Sequence, residues 1–170
     1  MKFFKALFVV SLLFAAMLLM IGVFVPEIDE EIELNIEAPI VTVYAGLMNT
    51  DDLTEWVEDL QKIERTGGIL AMPGSTFELH FKSIETEVKY ELEIIELIPL
   101  KSMKYKLHND MLEIEVSTNF EINGLTTDMQ VFVQAKGKGL LVKSFLPLMK
   151  SVVMDEIRAD FVAFKHLQEQ

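Results

Sequence analysis

The chain has 170 residues, enough for one domain with at most one appended segment. Half of it (51%) is hydrophobic and 25% is charged, which excludes a disordered tail protein and a multi-pass transporter. The net charge of −12 argues against nucleic acid as a partner, and the absence of cysteine excludes disulfides, thiolate metal sites and thiol catalysis.

The N-terminus carries an uncharged apolar run over residues 6–25, long enough as a helix to cross a hydrocarbon core of roughly 30 Å. Lys2 and Lys5 precede this run and acidic residues follow it, so the positive-inside rule predicts a cytoplasmic N-terminus and an extracytoplasmic domain. A cleaved secretory signal, giving a secreted protein, is the alternative, although the run lacks an Ala-x-Ala cleavage pattern. We expect a single-pass anchor in the cell membrane over residues 1–26 and one soluble domain over residues 27–170.

The domain begins with strict alternation over residues 31–37, which predicts a half-buried strand. Pro39 ends the strand and suits the first turn of a helix, and apolar residues recur at helical spacing over 40–47. Residues 51–57 predict a second short helix with acids in its first turn. A short strand around 62–65 then leads to a pair of glycines.

Five longer stretches alternate with period two, over residues 77–82, 88–97, 103–108, 112–122 and 125–133. The alternation slips in the second stretch, where two isoleucines stand side by side, which predicts a β-bulge. An Asn-Gly pair between the last two stretches predicts a tight hairpin.

The last segment changes to a three- to four-residue period, which predicts an amphipathic helix of about 20 residues beginning near Pro147. A sheet with one charged face must bury its apolar face, and this helix is the large apolar partner available. We therefore predict an α+β helix-grip fold. A curved antiparallel sheet of six or seven strands wraps around the long C-terminal helix, with two short helices after the first strand and a transmembrane helix ahead of it.

Three stretches of the chain share one family pattern: the opening IELNIEAPIVTVYAGLMNTDDLTEWVEDLQKIE, then EIIELIPLKSMKYKL, and the closing LVKSFLPLMKSVVMDEIRADFVAFKHL. Through them, residues 30–168 resemble the SRPBCC superfamily, which includes START-like lipid-transfer proteins and polyketide cyclase/dehydrase-like proteins. The resemblance implies a helix-grip fold that binds hydrophobic molecules between sheet and helix, with catalysis in a minority of members. It carries no catalytic motif onto this chain, and the N-terminal apolar segment lies outside it.

The inner face of the predicted sheet determines what chemistry is possible. The alternation places no Asp, Glu, His, Lys or Arg on that face, and its polar groups are Tyr90, Tyr105, Thr118 and Thr127. This pattern favours an apolar pocket with a few orienting hydroxyls, whereas the alternative is a solid core filled by the same side chains. The predicted ligand-binding residues are Phe77, Leu79, Phe81, Tyr90, Leu92, Met103, Tyr105, Val116, Thr118, Phe120, Thr127 and Met129 from the sheet and Val153, Ile157 and Phe161 from the helix.

The titratable residues of the strands fall on the outer face, where they form solvated sheet surface. His80 and His108 are among them, so we predict no catalytic residue, no metal site and no cofactor. Two connections, 66–75 and 139–148, are unusually apolar for loops. They either cover the core, or rim a pocket mouth, or touch the bilayer.

The sequence therefore predicts a membrane-anchored module that binds or transports a lipid-like or other hydrophobic small molecule. One alternative is a cyclase/dehydratase-like enzyme in which Tyr90, Tyr105 or a threonine polarises a carbonyl group. Another is a non-catalytic interaction module whose acidic sheet face docks a basic partner. The sequence does not identify a protein partner.

Overall fold

The computed structural model describes residues 2–82 and 87–170, most of which belong to one antiparallel sheet and the helices around it. Within these residues the sheet has seven strands, where six or seven were predicted: β1 (Glu27–Ile36), β2 (Leu60–Gly67), β3 (Thr76–Phe81), β4 (Val88–Ile98), β5 (Ser102–His108), β6 (Leu112–Asn123) and β7 (Thr126–Gly137).

The helices precede, interrupt and follow the sheet. A 3-10 turn at Thr50–Asp52 leads into the short third helix, and another at Leu146–Met149 leads into the long last helix. The helices are α1 (Lys2–Phe24), α2 (Ile40–Met48), α3 (Leu53–Trp56), α4 (Leu140–Phe145) and α5 (Lys150–Gln168).

The strand order is β1-β7-β6-β5-β4-β3-β2, so the chain meanders from β2 to β7 and β1 closes onto the β7 edge. Glu27 lies opposite Lys136 at one end of the β1–β7 pair, and Ile36 lies opposite Thr127 at the other. The curved sheet presents its inner face to α5, which is the predicted helix-grip architecture.

Both local irregularities predicted for the strands are confirmed. The ladder between β4 and β5 skips a residue between Ile94 and Glu96, which is the bulge that keeps the glutamates facing outward. In the β6–β7 hairpin, Gly124 has a φ of +65°, a left-handed conformation that glycine adopts without a Cβ penalty.

The predicted loop over 139–148 is wrong in its secondary structure, because this segment forms α4 and a 3-10 turn. Gly139, with a φ of +77°, allows the chain to turn from β7 into α4. Pro147 cannot continue the hydrogen-bond ladder of α4, so α5 begins only at Lys150. Strand β2 (Leu60–Gly67) is also longer than the strand predicted around residues 62–65.

The packed core lies between α5 and the β1, β7 and β6 side of the sheet. Phe164 of α5 is fully buried, and its ring centroid lies 5.1 Å from that of Trp56 of α3. Phe161 lies 5.9 Å from the same indole. Trp56 therefore joins α3 to α5, and the inner residues of β7 close the cluster beneath them.

Helix α1 stands apart from this core except at its C-terminal end. Residues 3–24 have a mean hydropathy of 2.8 and are long and apolar enough to span a membrane, a property that signal sequences share. The end of α1 packs against α4, where Gly22 is buried. A Cβ at Gly22 would lie 2.5 Å from Oγ of Ser144, so this contact requires glycine.

Replacing Phe164 by alanine should lower the free energy of unfolding by about 3–5 kcal/mol, because the change leaves a cavity under Trp56. Val162→Ala, at a partly exposed position of the same helix, should change it by less than about 1 kcal/mol. Denaturant unfolding monitored by tryptophan fluorescence measures both values. Equal losses for the two variants would contradict the placement of the core.

Candidate ligand-binding cavity

A cavity of about 420 Å³ lies between α5, the α2–α3 segment and the inner face of strands β3 to β6. Its volume falls within the range of small-molecule sites, roughly 300–1,000 Å³. Its wall is mainly apolar, and exposed side chains such as Glu58 and Lys82 mark its opening.

The cavity exists because α5 packs tightly on only one half of the sheet. Inner residues of β7, such as Val131 and Val133, are almost fully buried against the helix. Inner residues of β4 and β6 in the other half, such as Leu92 and Ile114, are only partly buried and line the cavity. Curvature carries these strands away from α5 and leaves the space between them unfilled.

The structure brings most of the predicted ligand-binding residues together. The predicted residues that line the cavity come from strands β3 to β6 and from α5. The strand alternation and the helical period therefore both bring side chains to the cavity wall. Ligand contact itself stays a prediction. The predicted residues that line the cavity are Phe77, Leu79, Phe81, Tyr90, Leu92, Met103, Tyr105, Val116, Val153, Ile157 and Phe161.

Four predicted residues, Thr118, Phe120, Thr127 and Met129, point inward but lie in the packed half of the sheet and do not line the cavity. The Phe120 ring packs against Tyr44 of α2 with centroids 5.7 Å apart. The hydroxyl of Thr127 donates a hydrogen bond of 2.8 Å to the carbonyl oxygen of Ala38. These side chains are core residues because α2 and α5 cover this end of the sheet.

Sequence reasoning missed the contribution of the α2–α3 segment to the wall. Leu47, Leu53 and Val57 line the cavity, and Trp56 lines it as well as packing on α5. Their helical spacing indicated a buried face. It gave no way to tell whether that face met the core or the cavity.

The strands contribute no charged side chain to the cavity wall, as their alternation predicted. Helix α5 and the α3–β2 turn contribute acidic side chains to it. Asp160 of α5 faces the cavity, and its Oδ1 accepts a hydrogen bond of 2.9 Å from the backbone N–H of Glu58. Burial raises the pKa of Asp160 to about 6, and the nearby carboxylates of Glu156 and Glu58 act in the same direction. The cavity therefore contains one carboxyl group that titrates near neutral pH.

Two phenols, Tyr90 and Tyr105, are neutral polar groups of the wall, as is the hydroxyl of Thr50. Burial raises the pKa of Tyr105 far above its ordinary value, and the charge of Asp160 adds to the shift. Burial also raises the pKa of Tyr90. Both phenols therefore keep their protons at neutral pH and can donate a hydrogen bond to a bound molecule. The indole Nε1 of Trp56 is a further buried donor without a partner in the described residues.

His80 points to the outer face of the sheet, as predicted, but its side chain is only 8% exposed. Its Nε2 lies 2.9 Å from Oε1 of Glu78 and 3.5 Å from Oε2 of Glu64, and its Nδ1 contacts Glu87. Lys62 and Lys89 pair with two of these carboxylates. This ionic cluster lies on the face opposite the cavity, so it takes no part in forming the cavity wall.

Comparisons with solved structures identify the fold. Searches of protein families and of curated proteins find no match to the sequence. Among solved structures, the Zhui aromatase/cyclase from Streptomyces sp. R1128 superposes with a TM-score of 0.70 at 13% identity, covering 84% of this chain and 94% of that one. The structure of Ara h 8.0201 gives 0.67 at 14% identity, covering 84% of this chain and 97% of that one. A protein of unknown function from Staphylococcus aureus, SA2116, gives 0.69 at 15% identity, covering 84% of this chain and 94% of that one.

These superpositions cover nearly the whole of each neighbour and about the length of residues 27–170. The chain therefore shares the helix-grip fold of these structures, and the fold that the sequence resemblance implied is confirmed. At these identities the likeness defines the fold alone.

Thr118 and Thr127 provide a matched pair of buried threonines. Thr127→Val removes the partner of the Ala38 carbonyl and should destabilise the fold by about 1–3 kcal/mol. The hydroxyl of Thr118 has no partner in the described part of the chain, so Thr118→Val should be neutral or stabilising. Thermal unfolding of both variants tests this, and a larger loss for Thr118→Val would contradict it.

Asp160→Asn should stabilise the protein at neutral pH. The folded-state pKa of about 6 lies above the ordinary value of 3.8, so the folded state is penalised once the carboxyl ionises. Well below pH 3.8 the carboxyl is protonated in both states and the difference should vanish; it should grow as pH rises from about 4 and reach its full size above pH 6. Melting temperatures across this range provide the measurement, with Asp155→Asn at an exposed position of the same helix as control. An Asn variant that melts at or below wild type at pH 7.5 would refute the assignment.

Proposed function

We propose that the protein is a membrane-anchored domain that binds a lipid-like or other hydrophobic small molecule in the cavity behind α5. The observation that carries this proposal is the cavity of about 420 Å³ with its mainly apolar wall. Transfer of an apolar ligand from water to such a wall is favourable by roughly 25 cal/mol per Å² of buried apolar surface. The outer faces of the strands are charged, which keeps the domain soluble while the interior stays apolar.

The charges near the cavity favour particular ligand chemistry. Glu58, Asp59, Glu156 and Asp160 line its rim and wall against a single lysine, Lys82, among the described lining residues. A ligand carboxylate or phosphate placed beside Asp160 would meet like charge in a partly buried site. The proposed ligand therefore has an apolar body and a neutral hydroxyl, a carbonyl or a basic group at its polar end.

Helix α1 is the proposed anchor, with its N-terminus in the cytoplasm and the domain of residues 27–170 outside the cell membrane. Its apolar length and the lysines at its N-terminal end support this orientation. β1 begins at Glu27, three residues after α1 ends at Phe24, so an anchored domain would sit close to the bilayer surface. Secretion after cleavage of the same segment is the alternative.

A cyclase-like enzyme is the second candidate, and Asp160 is the observation that favours it. A carboxyl group with a pKa of about 6 in a cleft, near the phenol of Tyr105, has the properties of a general acid or base. Mass spectrometry of molecules that copurify with wild type and with Asp160→Asn separates the two functions. A carrier would yield the same compound from both proteins. An enzyme would yield compounds that differ by the mass of the reaction step.

Filling the cavity should abolish binding without unfolding the domain. Val153→Trp places a large ring in the space between α5 and the sheet, and we expect at least about a tenfold loss of affinity for the neutral fluorescent probe N-phenyl-1-naphthylamine. Val162→Trp, at a partly exposed position of α5 away from the cavity lining, is the matched control and should bind like wild type. Absence of probe binding and of any extractable ligand in wild type would refute the proposal.

A further inference from the structure

The segment from Lys136 to Lys150 differs in charge from the rest of the domain. It contains four lysines and no acidic residue, whereas residues 27–170 as a whole carry 27 acids and 13 bases. All four lysines lie after the centre of β7, in its last residues, around α4 and at the start of α5. This segment is thus locally basic within an acidic domain, although Lys136 pairs with Glu27 and Lys150 lies 4.0 Å from a carboxylate oxygen of Glu30.

The same segment exposes a row of large apolar side chains. Leu141 of α4 is 67% exposed, and Phe145 and Met149 continue the row along the following turns. Met111, in the β5–β6 turn, extends it across the sheet, because its carbonyl oxygen accepts a hydrogen bond of 2.7 Å from the N–H of Lys138. We call this surface the α4 face; its members are Met111, Lys138, Leu140, Leu141, Lys143, Phe145, Leu148, Met149, Lys150 and Val152.

The α4 face is continuous with α1. Gly22, in the last turn of α1, is buried against Ser144 of α4, and the contact is close enough to exclude a Cβ. Gly22 lies only about 3 Å along the helix axis from the end of α1 at Phe24, at 1.5 Å per residue. A bilayer that holds α1 up to this turn therefore meets α4 at the level of the lipid headgroups.

We propose that the α4 face docks onto the surface of the bilayer that holds α1, with α4 lying in the interface. Its apolar side chains enter the boundary between headgroups and acyl chains, and Lys138, Lys143 and Lys150 pair with anionic lipid phosphates. This combination of exposed apolar and basic residues is typical of interfacial helices. The proposal rests on the proposed anchoring by α1 and goes beyond it, because a tether alone leaves the domain free to rotate.

Docking would also bring the cavity to the membrane. Leu112 and Val153 line the cavity, and their chain neighbours Met111 and Val152 belong to the α4 face. The docked surface and the cavity wall therefore share a border. A hydrophobic ligand would then have an apolar path from the bilayer to the cavity without crossing water.

The absence of cysteine allows the test to be made with single-cysteine variants of the full chain. The chain is reconstituted in vesicles of phosphatidylcholine and phosphatidylglycerol, with an environment-sensitive fluorophore on Leu141→Cys, Met149→Cys, Leu125→Cys or Phe14→Cys. Leu125 is the control: it is 88% exposed but lies in the β6–β7 turn, at the far end of the 12-residue strand β6. Lipids with a nitroxide near the headgroup quench a fluorophore that enters the interface, and lipids with a nitroxide near the end of an acyl chain quench one at the bilayer centre, where position 14 would lie.

We expect quenching at positions 141 and 149 to exceed that at position 125 severalfold. Equal quenching at all three would overturn the proposal, and would be the outcome if the α4 face binds a protein instead. Position 14 reports on α1 separately. Quenching at 14 without quenching at 141 overturns docking while anchoring stands, and absence of quenching at 14 refutes the anchor itself.

The charge contribution has its own control. In the anionic vesicles, Lys143→Gln/Lys150→Gln should reduce quenching at position 141 at least twofold. Replacing phosphatidylglycerol by phosphatidylcholine should cause a similar loss of quenching at position 141 when both lysines are kept. Lys101→Gln/Lys104→Gln removes two lysines that lie outside the α4 face and should have no effect. Equal quenching in neutral and anionic vesicles would overturn the role of the lysines.

Discussion

The structure depends on how one amphipathic helix covers the apolar face of a sheet that is too large for it. Helix α5 lies closest to β1 and shares one buried cluster with β1, β6 and β7, in which Phe161 and Phe164 pack against Trp56 of α3. The other half of the sheet curves away, and its apolar side chains form a second, smaller cluster with partly buried neighbours. The uneven packing gives the domain both a stable core and a cavity.

The polarity of the cavity arises from two sources with different physical origins. The strands supply apolar groups and two neutral phenols, because outward and inward positions alternate and charge is kept outside. The acidic groups come from α5 and the α3–β2 turn, where Asp160 is held partly desolvated by a backbone N–H. The partly buried carboxyl of Asp160 is what separates a passive carrier from a catalyst in the proposed functions.

The N-terminal helix packs on the domain along α4 and the 3-10 turn after it, and the closest approach is between Gly22 and Ser144. Because β1 follows α1 almost directly, the position of α1 determines which end of the domain approaches a membrane. That end carries the exposed apolar side chains and the lysines of the α4 face. In the proposed arrangement, anchoring, orientation of the domain and access to the cavity are linked through α4.

The sequence by itself determined the strands, the bulge, the hairpin, the closing helix and the inward set of side chains, because period-two and helical patterns are local properties of the chain. The sequence could not show which inward side chains line the cavity and which fill the core. Phe77 and Tyr105 at the cavity have the same pattern as Phe120 and Met129 in the core. Only the tertiary structure decided this, since the division depends on where α2 and α5 cross a curved sheet. The same holds for Asp160 and for the α1–α4 contact, which join residues far apart in the chain.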